Sequence, residues 1–538
     1  MTFKTLAQNT KVRNAVTAQT SKAPNAPAPQ VKNNAGGFVF EITPLQRLDR
    51  FLTIGTCGGS FYQAEGTLTN QNVDLIVALI KTNGKVVVDR CVEISQAGRA
   101  KNNDYALLVM ALVFAHGDVP TKLYAKSKLS LVARTGTHFL HFISFASGVR
   151  GWGRSLKSAI QHWYTDKTVD QVAFQFAKYK QRDGWSHRDA FRLAHVKPGN
   201  DPARQNLYKY IVRGEEGVEL ASLPKIIQAT EEAKTCDAKT LVKLITDYRL
   251  THEMIPNEMK NRPEVWEALI PHMGLNALLR NLNKLTAVGL IKPMSVTSKL
   301  VVEKLTNVEA IRNERLHPLS IIVAKKIYAQ GHGDKGSLAW VPDRTIDSRL
   351  EDAFYLSFQT VEPSGKNTYL GLDVSGSMGS AFCSGANLLT CREASAILAM
   401  VTVKAEPWTL VEGFTGKMQH LDITKHDRLD AVIRKISNLR FGATDCSLPM
   451  LDAMERKLDV DTFAIYTDNE TWVGRIHPFQ ALRQYRQKMG RPQAKLIVCA
   501  MTASNFTIAD PTDAGMLDVV GFDTATPKFI SEFSAGRL

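Results

Sequence analysis

Three short stretches carry oxygen donors at the ends of apolar runs. Asn367-Thr-Tyr-Leu-Gly-Leu-Asp373-Val-Ser375-Gly-Ser377-Met378 delivers one carboxylate and two hydroxyls, at alternate positions, into a glycine-containing loop. Phe441-Gly442-Ala443-Thr444-Asp445 adds a hydroxyl ahead of a helical stretch. Ala464-Ile465-Tyr466-Thr467-Asp468-Asn469 ends another apolar run on a second carboxylate. Carboxylates and hydroxyls are hard donors, suited to Mg²⁺ or another small divalent cation. Asp-x-Ser-x-Ser alone says little, because Asp and Ser are ordinary loop residues. Three such segments in this order point to a metal site.

A different chemistry sits in the first half of the chain. Ala177-Lys178-Tyr-Lys180-Gln181-Arg182-Asp-Gly184-Trp185-Ser186-His187-Arg188-Asp189-Ala-Phe-Arg192-Leu-Ala-His195-Val-Lys197 is dense in cations. Gly184 can end a helix over 170–182, and Ser186 with Asp189 three residues on makes a capping-box start for the next. Arg188, Arg192 and His195 then share one helix face, and His187 opens the helix where free N–H groups favour an anion. The pattern suits phosphate binding, with a merely solvated basic face as the other reading. Arg150-Gly-Trp152-Gly-Arg154-Ser-Leu-Lys157 interleaves an aromatic with charges, as a clasp for unpaired bases would.

The elements that must carry these residues differ between the two halves. Strand-like runs at 367–373, 408–414, 462–467, 495–501 and 517–522 alternate with helix-like stretches at 386–404, 427–438, 446–458 and 477–489. That alternation reads as a doubly wound parallel sheet, whose ligands sit at the carboxyl ends of the strands. From Phe38 to Val361 the pattern is mostly helical. Asp104–His116 is apolar nearly all round, a buried helix. Further helices read near 156–164, 170–182, 187–195, 239–248, 263–271, 274–286 and 319–329, an irregular helical array or α-solenoid. Residues 1–36 hold Lys4, Lys11, Arg13, Lys22 and Lys32, several prolines and no acid, and read as a flexible basic arm. The expected divisions are therefore 1–36, 37–361 and 362–538.

At 538 residues and 44% hydrophobic content, the chain can bury several cores. Its net charge of +15 is unevenly divided. Residues 369–538 hold 18 Lys+Arg and 19 Asp+Glu, a net of −1, and residues 1–368 hold 49 and 33, a net of +16. A basic excess confined to one part favours a polyanion there, nucleic acid before membrane. Seven scattered cysteines, with no zinc-type spacing, suggest reduced thiols in an intracellular protein. With no apolar signal core and no membrane-length run, a cytoplasmic location is expected, with nuclear entry open.

The three donor segments resemble the von Willebrand factor A domain and its metal-ion-dependent adhesion site. On that resemblance Asp373, Ser375, Ser377, Thr444 and Asp468 are the five motif positions, Mg²⁺ or another divalent ion is the cofactor, and one coordination position is left for an acidic group on a protein partner. Asn469 stands where a glycine commonly follows the last aspartate. The block Lys178–Asp189, together with Arg50-Phe-Leu-Thr-Ile-Gly-Thr-Cys-Gly-Gly-Ser-Phe-Tyr62, resembles the helical TROVE module of the Ro ribonucleoprotein family. The resemblance implies a ring of HEAT-type repeats followed by the A-type domain, and a monomer. It also implies binding of small non-coding Y RNAs and of the single-stranded 3′ ends of misfolded small RNAs, in non-coding RNA quality control. Lys178, Lys180, Gln181, Arg182, His187, Arg188, Arg192, Lys197, Arg150 and Arg154 are the expected RNA contacts.

Catalysis is not expected. The chain lacks a GxxxxGK[ST] loop, Ser375-Gly-Ser377-Met-Gly379 fails GxSxG, and Thr251-His252-Glu253-Met254-Ile255 lacks the second histidine of a zinc protease. The competing non-enzymatic reading is a protein-interaction scaffold working through the metal site. A scaffold alone gives no reason for +16 charges in one part.

Overall fold

The structure, a computed structural model, describes residues 16–56, 60–333, 337–358, 361–382, 389–440 and 442–538; Cys57, Cys383 and Phe441 lie outside them. It divides into two compact units. One comprises the chain up to Leu75, Arg99–Lys101 and Phe358–Leu538; the other comprises Ile76–Gly98 and Asn102–Ser357.

The first unit is built on a six-stranded sheet: β1 (Thr368–Asp373), β2 (Thr409–Phe414), β3 (Met418–His420), β4 (Thr462–Thr467), β5 (Lys495–Ala500) and β6 (Met516–Val520). The order is β6-β5-β4-β1-β2-β3, parallel throughout except for β3 against β2. All six residues of β1 and of β4 are buried, which is why both read as continuous apolar runs. The chain leaves β1 for β2 on one side and reaches β4 on the other. The carboxyl ends of β1 and β4 therefore flank a topological switch point. Asp373 closes β1 and Asp468 follows β4. The helices Cys391–Ala405, Leu429–Ser437, Leu448–Glu455 and Pro478–Lys488 fall where the pattern put them. The three-residue edge strand β3 and the helix Thr526–Ala535 had no legible period.

The segment 16–36 corrects the expectation of a flexible arm. Gln30–Lys32 and Phe38–Glu41 pair antiparallel, and Phe506–Thr507 completes a three-stranded sheet. Phe40 is buried edge-on to Phe479, ring centroids 5.4 Å apart. Gln19 and Asn33 are buried as well. Gln19 Nε2 donates to Asp445 Oδ1 at 2.8 Å and to the Ile476 carbonyl at 2.9 Å. Asn33 Nδ2 donates to the carbonyls of Asn469 and Thr471 at 3.1 and 2.9 Å. Amides that satisfy buried backbone groups order a segment whose composition looks unable to fold.

Residues 37–75 also group with the sheet unit, not with the helical one. The helix Pro44–Thr53 starts at a Thr43–Gln46 capping box and presents Arg50, 1% exposed, to β6 and its neighbours. Gly37 lies so close to this unit that an added Cβ would come within 1.9 Å of the Thr471 carbonyl oxygen.

The second unit is helical, and its helices pack mainly on near neighbours in sequence, as in Asp104–His116 against Gly136–Val149. Asp104–His116 has the expected bounds and is buried from Val109 to Ala115. The expected helix over 170–182 stops at Lys178. Gln181–Arg182 then pairs with Trp185–Ser186 around Asp183 (φ 49°) and Gly184 (φ 80°). Two positive φ values at Asp-Gly mark a hairpin turn. Gly184 thus turns a hairpin instead of ending a helix. Among the described residues no helix is long and apolar enough to cross a membrane.

Candidate metal centre and basic interface

Four of the five motif residues converge at the carboxyl ends of β1 and β4. Ser375 N–H donates to Asp373 Oδ1 at 3.0 Å, and the Ser375 and Ser377 hydroxyls lie 3.1 Å apart. The other Asp373 oxygen accepts from Thr467 Oγ1 at 2.7 Å, and Asp468 accepts from the Glu470 N–H at 3.1 Å. Ser377 bonds the Asp468 carboxylate. Thr444, 1% exposed, sits on a loop tied to both neighbours. Gly376 N–H donates to the Gly442 carbonyl (3.3 Å) and Trp472 N–H to that of Thr444 (3.0 Å). Asn469 takes the left-handed conformation, φ 67°, which asparagine tolerates better than most residues. The replacement of the usual glycine keeps the turn.

The electrostatics fit a cation. Asp373 and Asp468 are both fully buried, and desolvation pushes both carboxyls up. For Asp373 the Asp468 charge adds to this, to about 7. Glu470 is raised to about 8, by burial first and then by Asp468. Arg392 lies nearby, but its guanidinium is taken up by the carbonyls of Val374 and Ser375 at 2.6 and 2.9 Å. Buried like charges beside the Ser375 and Ser377 hydroxyls are unfavourable alone, and such a donor set would suit a hard divalent ion. Asp373, Ser375, Ser377, Thr444 and Asp468 would hold it, leaving it to act as a Lewis-acidic anchor. Among the described residues no three His, Cys, Asp or Glu form a metal cluster, so the hydroxyls are what mark this site. Sequence reading missed Tyr62, whose phenol bonds Ser377 and is raised by burial and then by Asp468 and Glu470.

The ten expected RNA contacts do not form one cluster. Lys178 lines a cavity of about 520 Å³ with Phe174, Arg249 and His252. Lys180 and Arg188 line another, about 410 Å³, with Tyr210, Arg213 and Lys234. Arg150 and Arg154 line a third of about 70 Å³ with Lys122. Gln181 is exposed and Arg182 half-buried on the hairpin, while Arg192 and Lys197 are exposed. His141 holds that hairpin in place. Its Nδ1 is 2.8 Å from Asp104 and its Nε2 is 3.7 Å from Asp183. The hydrogen bond to Asp104 raises the imidazole pKa.

His187 is the exception and corrects the sequence reading. It is 1% exposed, with Nδ1 2.7 Å from the Tyr164 hydroxyl and the rings of Trp163 and Phe176 around it. Burial depresses its pKa to about 4, so it is neutral at pH 7. Nor is the helix start open to an anion. Asp189 accepts from Ser186 N–H and Oγ at 3.0 and 2.6 Å, placing a carboxylate there. Lys122, Arg213, Lys234 and Arg249 were missed because no local motif marks residues that only helix packing brings together.

The helical part and the α/β part each match a known domain family. Residues 31–250 and 243–327 match the TROVE domain, and residues 367–534 match the Ro60 vWA domain. The chain belongs to the Ro60 family. It is similar to the RNA-binding protein RO60 of Deinococcus radiodurans, 40% identical over 522 residues that cover 95% of this chain and 96% of the relative. It is also similar to the RNA-binding protein RO60 of Caenorhabditis elegans, 35% identical over 586 residues covering 95% and 90%. The crystal structure of the D. radiodurans RO (RSR) protein superposes with a TM-score of 0.68 at 38% identity, over 92% of this chain and 100% of that one.

Proposed function

We propose that this chain binds RNA through its helical unit, taking small Y-type RNAs and the single-stranded 3′ ends of misfolded small RNAs, in non-coding RNA quality control. The observation that carries the proposal is the basic excess of residues 1–368, +16, of which +11 lies in the helical unit, 39 Lys+Arg against 28 Asp+Glu over 76–98 and 102–357. Relatives named as RNA-binding proteins at 35–40% identity support it. Phosphate contacts supply affinity that falls steeply with salt, and aromatic stacking adds about 1–3 kcal/mol per base with little sequence preference. Selection then rests on an unpaired end, not on base reading. A small hairpin with a single-stranded 3′ tail is expected to bind more tightly than the same hairpin without it, with a steep fall in log K against log[salt]. Equal, weak binding of both would leave only a generic polyanion surface.

The metal centre serves a separate role in this proposal: Mg²⁺ held by Asp373, Ser375, Ser377, Thr444 and Asp468 anchors an acidic side chain of a protein partner. Millimolar Mg²⁺ is expected to raise the melting temperature of the wild type, by the linkage of binding to folding. Asp373→Ala is expected to lose that rise while keeping RNA affinity within about twofold, since it removes a metal ligand and no cation. Loss of RNA binding in a folded Asp373→Ala protein would overturn the division of labour.

A further inference from the structure

The smallest of the three basic cavities has a composition of its own. Its volume is about 70 Å³, and its walls include Phe114, Lys122, Arg150, Gly153 and Arg154. That is several times the ~10–15 Å³ a single water needs on the same measure, room for a tetrahedral oxyanion. Arg150 is fixed by donating to the Ala115 carbonyl at 2.5 Å. Lys81 and His116 stand close by. Burial first, and then Lys81, Arg150 and Lys122, lower the His116 pKa. Lys122 is likewise lowered by desolvation and then by Arg150. Among the described residues none of Lys81, Lys122, Arg150 and Arg154 is in an ion pair. Asp118, whose charge partly offsets the lowering of Lys122, caps its own helix by accepting from Thr121 N–H at 2.8 Å. Lys122, Arg150 and Arg154 crowded onto one small cavity repel one another, and a bound anion relieves that repulsion.

The same loop carries an aromatic platform. Between Arg150 and Arg154, Trp152 lies half-buried against Trp185 of the hairpin, ring centroids 5.4 Å apart and planes inclined at 44°. Gly151, at φ 79°, takes the left-handed conformation between Arg150 and Trp152. Gly153, the N-cap of the helix Arg154–Thr165, has no side chain to place over the cavity.

We infer that Lys122, Arg150 and Arg154 form a subsite for a single phosphate group of bound RNA, with Trp152 and Trp185 as the surface on which the adjoining unpaired base stacks. The subsite rests on the RNA-binding reading given above and adds to it one defined nucleotide position. A terminal phosphomonoester and an internal phosphodiester share the chemistry it recognises.

The test uses the full chain and a Lys122→Gln/Arg154→Gln variant, whose fold is checked by circular dichroism. Inorganic phosphate, titrated while tryptophan fluorescence is followed, is expected to give a saturable change in the wild type that the variant lacks. One short single-stranded RNA is then measured over a salt series with either a 5′-phosphate or a 5′-hydroxyl. The variant is expected to bind at least tenfold more weakly, with the salt slope reduced by about one. A larger loss for the 5′-phosphate form assigns the site to a chain end, and an equal loss assigns it to the backbone. Trp152→Leu is expected to weaken binding severalfold with the slope unchanged. If the wild type binds RNA and the double variant matches it in affinity and slope, the subsite is wrong while RNA binding stands. If the wild type binds no RNA, the wider reading fails, and the phosphate titration alone decides the subsite.

Discussion

Replacing Arg50 with alanine is expected to destabilise the α/β unit by about 3–5 kcal/mol, more than any surface change in the chain. The guanidinium is 1% exposed and makes two bonds to one carboxylate, to Asp518 Oδ1 and Oδ2 at 2.6 and 2.7 Å. It also donates to the carbonyls of Ser504 and Phe506 at 2.8 and 2.9 Å. Truncation leaves a buried carboxylate and two carbonyls without their donor, and an uncompensated buried charge dominates the cost. The first thermal transition should fall by roughly 10 °C, as expected for a unit of this size. A double variant, Arg50→Met with Asp518→Leu, is expected to recover most of the loss, because removing both charges ends the desolvation penalty. Equal instability of the single and double variants would mean that packing, not charge, makes the site matter.

Arg50 also marks how much was legible in the sequence. Five of the six strands of the main sheet were, to within two residues, because burial writes itself as apolar runs. The two carboxylates at the ends of β1 and β4 were legible for the same reason, since each closes such a run. The ordering of residues 16–36 was not. Gln19 and Asn33 are buried by partners more than 400 positions away, and nothing local distinguishes a satisfied amide from a solvated one. The hairpin at Asp183-Gly184 was misread because a helical pattern upstream made the glycine look like a stop. The cavity-lining Lys122 and Arg213 belong to helices whose charges look like ordinary solvated faces until the packing is known.

The same gap between local pattern and packing governs the prediction for His187, which its neighbours in sequence make look like an RNA contact. Substitution by alanine is expected to cost about 2–4 kcal/mol, from the cavity left and from the Tyr164 hydroxyl losing its partner at 2.7 Å. It should leave the salt slope of RNA binding unchanged in protein that remains folded. Arg188→Gln and Arg192→Gln should do the reverse. Both residues are exposed, so each should shift stability by less than about 0.5 kcal/mol. If each meets a phosphate, each should lower the slope by about one. Acid stability provides an independent check. His187 is held at about 4 when folded, below its usual value near 6.5, so its neutral form stabilises the native state. That contribution is fully present above about pH 6.5 and is lost as the pH falls from there to about 4, by about 3 kcal/mol in all. His138, half-buried and also held at about 4, acts in the same direction. The His187→Ala protein should therefore start less stable and lose less between pH 6.5 and 4 than the wild type. A parallel loss in both, together with a reduced salt slope in the variant, would return His187 to the RNA surface.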